Sequence, residues 1–164
     1  MTRPSRFARG RGFSLIEVLT AMVVLSIGML GIAAMYTTSL KTGRSAQLRT
    51  KGVVFAADMA DRIRANPGGA VNYVTAANGA GTSKGCTDRS TAGSVAAAVA
   101  CTTDQMAVDD IYRWKQLLTN PQSGLPKATA TIDYDNTTTP PTYTVTVNWT
   151  DQDEALSYTL SLQI

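Results

Sequence analysis

The residues of this chain that could do chemistry stand near its N-terminus, where one carboxylate interrupts a long apolar segment. A cationic leader ends at Gly12, the apolar run opens at Phe13, and the acid is Glu17. A charged side chain in a membrane-spanning helix costs roughly 2.5 to 3.5 kcal/mol on insertion scales. Glu17 is therefore predicted to serve a function that needs an acid in apolar surroundings. The alternative is a plain single-pass anchor whose acid lies near the lipid headgroups.

The composition excludes most catalytic and metal chemistry. The chain has no histidine, which removes histidine-based triads, proton shuttles and histidine-containing metal sites. One acid cluster, Asp109–Asp110, is predicted on a helix surface, with an ion pair from Asp109 to Arg113. The other is a turn at Asp151, Asp153 and Glu154, where calcium is a less favoured alternative to a solvated turn. We therefore predict that the chain is not an enzyme and has no catalytic residue, cofactor or metal site.

The net charge of +3 comes from the leader. Four of the fifteen basic residues precede Phe13, where there is no acid, and the remaining 11 basic and 12 acidic residues give −1. Such a leader has the charge pattern of a positive-inside signal. The basic balance is thus weak support for nucleic-acid binding.

The two cysteines are predicted to form a disulfide. Fourteen residues lie between Cys86 and Cys101, in a polar, glycine-rich segment. Two cysteines are too few for a zinc site, and the export signal favours an oxidising compartment. Closing a loop of this length contributes about 3 kcal/mol in the chain-entropy model. Two free thiols remain the alternative.

The apolar run is long enough to cross a membrane. Val18 to Tyr36 are 19 consecutive uncharged residues, which span about 28 Å as a helix, close to the bilayer core. A cleaved secretory signal would have a shorter apolar region followed by an Ala-x-Ala site, and none follows here. Gly28 and Gly31 interrupt the run. They favour either close helix packing or local stretching during assembly, and both interpretations stay open.

Gly12-Phe-Ser-Leu-Ile-Glu17-Val-Leu resembles the class III signal of type IV pilins and pseudopilins. The resemblance implies that a prepilin peptidase cuts between Gly12 and Phe13 on the cytoplasmic face. It also implies N-methylation of Phe13 and a membrane-embedded store of subunits. A carboxylate in hydrocarbon needs a cation, and the new amine at Phe13 of a neighbouring subunit could supply it to Glu17.

Three later segments resemble the PilV-type minor pilins. They are Ala57–Pro67, Asp110–Trp114 followed by Gly124–Pro126, and Tyr143–Trp149. The resemblance implies a minor pilin that primes pilus assembly and supports twitching motility and adhesion. The implied partners are other minor pilins, the major pilin, a tip adhesin, the peptidase and the inner-membrane assembly platform. The implied location is the bacterial inner membrane, with a single span and a periplasmic C-terminal domain, and then the pilus at the cell surface.

Two other functions are compatible with parts of this sequence pattern. A type II secretion pseudopilin would share the same N-terminal signal. A membrane-anchored module for DNA or another ligand is less favoured, because DNA binding calls for a basic stripe with interleaved aromatics. Only four basic residues lie between Cys86 and Ile164, namely Arg89, Arg113, Lys115 and Lys127.

The patterns predict an α+β chain of the type IV pilin fold, with a long N-terminal helix packed on a C-terminal antiparallel sheet. We expect a cleaved leader at 1–12, a transmembrane and assembly half of the helix at 13–38, and an amphipathic half at 39–65. A loop at 66–103 carries both cysteines and includes a short helix at 95–100. A second helix, capped by Asp104, and a three-stranded sheet fill 104–164. The helix face predicted to be buried comprises Leu48, Gly52, Phe55, Met59 and Ile63.

Overall fold

The computed structural model of the chain describes residues 12–77, 81–86, 100–122 and 124–164. Helix α1 spans Leu15–Ala65, a 3₁₀ turn spans Pro67–Gly69, α2 spans Ala70–Ala77 and α3 spans Thr103–Leu118. Strands β1 (Thr129–Asp135), β2 (Thr142–Asp151) and β3 (Glu154–Gln163) form an antiparallel sheet in the order β1-β2-β3. The α+β class is confirmed, with the long helix first and the three-stranded sheet last. The chain divides into two compact units, Met1–Gly43 and Arg44–Ile164.

In the N-terminal unit, residues 12–43 are all exposed, and from Leu15 onward they belong to α1. The Ser14 carbonyl opens the helix by accepting the backbone N–H groups of Glu17 and Val18, at 3.1 and 3.3 Å. Helix α1 is long and apolar enough to cross a membrane. Its hydroxyls need no solvent, because they donate to carbonyls one turn earlier in the helix, as at Thr20, Ser26, Thr37 and Thr38.

The second unit is built on the last five turns of α1. The predicted face is buried at Leu48, Gly52, Met59 and Ile63, and Phe55 packs partly against the core. Ala56 and Ala60 add small buried positions to the same face. The spacing of three and four residues turns this stripe toward one side of the helix.

The sheet places one face in the core and leaves the other polar. Strand β2 alternates strictly, with Tyr143, Val145, Val147 and Trp149 buried. Val145 lies opposite Ile132 of β1 and Leu160 of β3. Period-two patterning in the sequence predicted this arrangement, because successive side chains on a strand point to opposite faces.

The turn between β2 and β3 is shorter than the sequence indicated. The sequence placed Asp151, Asp153 and Glu154 in the turn, but Asp151 and Glu154 are paired strand residues and only Gln152 and Asp153 form the turn. Both have positive φ, 49° and 70°. Two left-handed residues give a turn whose twist matches that of the flanking strands, which lets the ladder continue to its end.

The expected loop at 66–103 is wrong at its beginning. The 3₁₀ turn Pro67–Gly69 leads directly into α2, which has Tyr73 fully buried. Helix α1 ends at Ala65, and the helix that follows the turn is stabilised by tertiary burial. Residues 81–85 have no regular structure. The short helix expected at 95–100 lies almost entirely outside the described residues.

Helix α3 begins earlier than predicted. Its N-cap is Thr102 rather than Asp104, and Thr102 forms a capping box with Gln105, in which each side chain bonds the other's backbone N–H. Asp104 instead lies in the first turn, where a negative charge also favours the helix. Ala107, Ile111, Trp114 and Leu118 are buried on one face, as the spacing predicted.

Candidate assembly site and the network of the second unit

The predicted processing and assembly residues lie together at the start of the N-terminal unit. Gly12 and Phe13 precede the first turn of α1, and Phe13 is 83% exposed. Glu17 is the acid in that first turn. A carboxylate there is favoured by the partial positive charge of the helix N-terminus. The peptide bond between Gly12 and Phe13 is therefore in an exposed, non-helical segment directly before an acidic first turn.

Glu17 has an apolar setting and no counter-ion within the described part of the chain. Shallow grooves on both sides of it are lined by apolar residues and Thr20, namely Phe13, Val18, Thr20, Ala21, Met22, Val24 and Leu25. No ion pair of Glu17 is formed with any described residue. A carboxylate embedded in a membrane needs a cation as its partner.

The glycines of the apolar run are part of a continuous helix. Gly28 and Gly31 lie within α1, and a Cβ added to either would meet nothing within 4 Å. Among the described residues of one subunit, nothing packs against these two positions.

The two cysteines form the predicted disulfide. Their sulfur atoms are 2.04 Å apart and their Cα atoms 5.7 Å apart. The bridge ties the segment that follows α2 to the residue just before the Thr102 cap of α3. The predicted pair Cys86 and Cys101 therefore lies within the second unit and does not involve the assembly residues.

Asp109 of α3 holds the segment directly before Cys86. One carboxylate oxygen accepts the backbone N–H groups of Lys84 and Gly85, at 2.6 and 3.1 Å, and the other accepts Nε of Arg113 at 2.7 Å. Burial alone would raise the pKa of Asp109, but these three donors stabilise the carboxylate and the pKa is lowered from 3.8. The ion pair with Arg113 was predicted and is confirmed. The predicted surface position is wrong, since Asp109 is fully buried.

Asp110 joins three helices. Its carboxylate accepts Nη1 of Arg62 at 3.1 Å and the hydroxyl of Tyr73 at 2.8 Å. Arg62 also donates to Asp58 at 3.1 Å, which is the predicted i,i+4 pair. Burial alone would lower the pKa of Arg62, but the two carboxylates raise it. Burial and the bond to Asp110 likewise raise the pKa of Tyr73.

Asp110 was also predicted on the surface, and that prediction is wrong. Its bonds to Arg62 and Tyr73 span 48 and 37 residues. For Asp109 the only local signal was Arg113, one turn later in the helix. For Asp110 it was the position in a segment that resembles the PilV-type minor pilins. No sequence spacing indicates that α1, α2 and α3 meet at this carboxylate.

The carboxylates of the acidic turn, Asp151, Asp153 and Glu154, do not form one cluster. Asp153 and Glu154 are exposed, whereas Asp151 is buried and its Oδ1 has no hydrogen-bond partner among the described residues. Across the described ranges, no group of three or more Cys, Asp or Glu side chains is placed to hold a metal ion.

Comparison with known families matches both units of the chain. Residues 8–33 match the model of the prokaryotic N-terminal methylation motif. Residues 34–112 match the model of the Tt1218-like type IV pilins. No curated protein and no solved structure gives a significant match. The two matches are contiguous and include Gly12, Phe13, Glu17, α1 and the network around Asp110. The chain therefore belongs to the type IV pilin family, as a structural pilin or pseudopilin subunit and not an enzyme.

Proposed function

We propose that this chain is a minor pilin that primes type IV pilus assembly and thereby supports twitching motility and adhesion. The observation that carries the proposal is Glu17, an acid without a counter-ion among the described residues, four positions after Phe13 in the matched methylation motif. After cleavage at Gly12, the amine of one subunit and the Glu17 carboxylate of the next can pair. Such a pair is strong in hydrocarbon and sets the axial position of one subunit against another.

The minor-pilin assignment is supported by the second unit. Two of the segments that resemble PilV-type minor pilins, Ala57–Pro67 and Asp110–Trp114, meet through the Arg62–Asp110 ion pair. Trp114 also donates its indole N–H to the carbonyl of Phe55 at 2.9 Å. These two contacts pack the segments against each other. Segments that belong to one family fold are expected to lie together in this way.

The proposed partners and location follow from this function. A prepilin peptidase cleaves between Gly12 and Phe13 and methylates the new N-terminus at Phe13. Other minor pilins, the major pilin, a tip adhesin and the inner-membrane platform then receive the subunit. Before assembly the chain is held in the bacterial inner membrane by one span, with the second unit in the periplasm. After assembly it is part of the pilus at the cell surface.

The test complements a strain that lacks this chain with four versions of it. The wild-type and Glu17→Ala chains should both lose residues 1–12 and gain one methyl group by intact mass. Only the wild type should restore surface pili and enter sheared pilus fractions. Thr20→Ala is the matched control on the same helical face and should behave as the wild type. Gly12→Val should keep the full-length mass, because it alters the residue at the cleavage site.

Separate results would contradict separate parts of the proposal. Normal piliation by Glu17→Ala would disprove the charge-pairing function. Normal piliation without the chain, together with a loss of protein secretion, would assign it to a secretion machine as a pseudopilin. A full-length mass for the wild type in the presence of the peptidase would disprove processing.

A further inference from the structure

A small pocket lies between α1 and the hairpin formed by β2 and β3. Its walls come from all three elements: Arg49, Val53, Trp149, Leu156, Ser157 and Tyr158. Its volume is about 160 Å³. Sites for drug-sized ligands measure roughly 300 to 1,000 Å³, and a cavity of roughly 150 Å³ holds one benzene-sized group. The pocket therefore has the capacity for a single amino-acid side chain.

One charged residue, Arg49, lines the pocket. Arg49 is exposed and forms no hydrogen bond or ion pair with any described residue. The arginines further along α1 differ, since Arg62 and Arg64 are both paired with carboxylates. A guanidinium only donates hydrogen bonds, and its fork geometry matches a carboxylate. The chemistry of the walls thus selects a side chain with an apolar stem and a terminal carboxylate.

One border of the pocket is a free strand edge. Strand β3 pairs with β2 on one side and with no described strand on the other. Leu156, Ser157 and Tyr158 are consecutive, and their side chains alternate between the two faces of the sheet. All three line the pocket, and they belong to the edge strand of the sheet. The unpaired backbone groups of β3 therefore lie on the same strand as this wall of the pocket.

That edge lacks the usual protection against pairing. Residues 155–164 contain no charged residue and no proline. Soluble proteins commonly place lysine, proline or a bulge on exposed edges to prevent strand addition. Apart from Glu154 at its first position, this ten-residue edge strand has no such feature, so it is suited to accept another strand.

We propose that this pocket receives an aspartate or glutamate side chain of an extended segment from a neighbouring subunit, which adds as a strand to β3. The strand edge supplies a row of hydrogen-bonding groups whose spacing matches an extended peptide backbone, which favours a protein segment over a free carboxylate. The charge of Arg49 then selects the segment. This contact depends on family membership but not on the pairing of Glu17, so either contact can fail without the other.

The test uses the full chain, labelled with ¹⁵N, in detergent micelles. Its two tryptophans provide two indole N–H signals. Trp149 lines the pocket and its N–H has no partner among the described residues, whereas that of Trp114 is bonded to Phe55. The probe is a blocked seven-residue peptide of alternating threonine and valine with a central glutamate. It should shift the Trp149 signal saturably and leave the Trp114 signal in place.

Variants and matched probes isolate each part of the contact. Losing one charge-assisted hydrogen bond lowers affinity by about tenfold or more. That loss is expected for Arg49→Gln and for the same peptide with glutamine at its centre. Arg64→Gln is the matched control, because Arg64 is an exposed arginine of α1 that pairs with Asp61; it should bind as the wild type does. A peptide with N-methylated backbone amides should bind weakly, since it cannot pair with the strand edge.

Five results would overturn the proposal. Absence of a Trp149 shift, or undiminished binding by Arg49→Gln, would remove the carboxylate site. Equal binding of butyrate and the peptide would make it a site for free carboxylates. Equal binding of the N-methylated peptide would exclude strand addition. Movement of the Trp149 signal on dilution without peptide would make a second copy of this chain the occupant.

Discussion

At the residue scale, Gly52 determines how closely the sheet approaches α1. A Cβ at this position would lie 2.7 Å from Cζ3 of Trp149. No real side chain tolerates that distance, so the indole ring can occupy its site only because residue 52 has no side chain. Sequence spacing placed Gly52 on the buried face but gave no reason for a glycine there.

The substitution Gly52→Ala should therefore destabilise the second unit. Overpacking costs about 1–3 kcal/mol, which exceeds the gain of about 1 kcal/mol in helix propensity. Urea unfolding of the full chain in detergent, followed by near-ultraviolet circular dichroism, measures the change. Gly43→Ala is the control, because nothing lies within 4 Å of its added Cβ. It should leave the unfolding free energy unchanged or raise it; equal losses in both variants would contradict the packing argument.

Asp109 makes stability depend on acid pH. Its folded-state pKa is lowered from 3.8. A depressed pKa stabilises the folded state above the unfolded pKa, and this contribution is lost as the pH falls through the folded pKa. The free energy of unfolding should therefore decrease from about pH 5 to about pH 2, and Asp109→Asn should show a shallower decrease.

At neutral pH the same substitution should lower the unfolding free energy by about 1–3 kcal/mol, because a charged hydrogen-bond acceptor is lost beside Arg113. Urea titrations at a series of pH values give both quantities. Asp104→Asn is the matched control, an exposed acid of the same helix with no described hydrogen bond. An identical pH slope for Asp109→Asn and the wild type would show that Asp109 does not carry this dependence.

At the element scale, Tyr73 ties α2 to α3. Tyr73 is fully buried and donates to Asp110 at 2.8 Å; its 3.2 Å approach to the carbonyl of Arg62 is longer, and a hydroxyl has only one hydrogen. Eight residues are too few for a helix to persist alone in water, so α2 depends on tertiary contacts such as this one.

Tyr73→Phe should loosen α2 and leave α1 and the sheet intact. The Asp110 carboxylate would lose a donor in a buried position, at a cost of about 1–3 kcal/mol. Hydrogen exchange should become faster for the amides of α2 than for those of β2. Tyr112→Phe is the control, since the Tyr112 hydroxyl has no hydrogen bond among the described residues. Unchanged protection of α2 in Tyr73→Phe would show that packing of the ring alone is sufficient.

At the scale of the whole molecule, the core belongs entirely to the second unit. Every buried hydrophobic residue described lies at Leu48 or later, whereas the large apolar residues from Phe13 to Leu40 are exposed. The exposed stretch suits a lipid or filament environment, and the second unit has its own buried core.

A polypeptide of residues 44–164 should therefore fold without detergent. We expect a single cooperative thermal transition and the same chemical shifts for the Trp114 and Trp149 indoles as in the full chain. The disulfide between Cys86 and Cys101 should form in it, as shown by unreactive thiols under denaturing conditions. Aggregation or a non-cooperative transition would mean that the second unit needs the apolar half of α1 for stability.

The sequence by itself determined the features that depend on local pattern. Leader charge, the apolar run and Glu17 predicted the N-terminal unit, and periods of 3.6 and 2 predicted the buried stripe of α1 and the three strands. With only two cysteines, one disulfide pairing was possible within the chain. These features follow from residues that are neighbours along the chain or on one face of one element.

Only the tertiary structure decided what distant residues do together. The burial of Asp109 and Asp110, the anchoring of α2 by Tyr73, the approach of Trp149 to Gly52 and the pocket beside Arg49 all join separate elements. A surface acid and a buried, satisfied one have the same local sequence pattern, because the donors that make burial tolerable come from other parts of the chain. Spacing along one helix therefore predicted the pair Asp109–Arg113 but could not predict its place in the core.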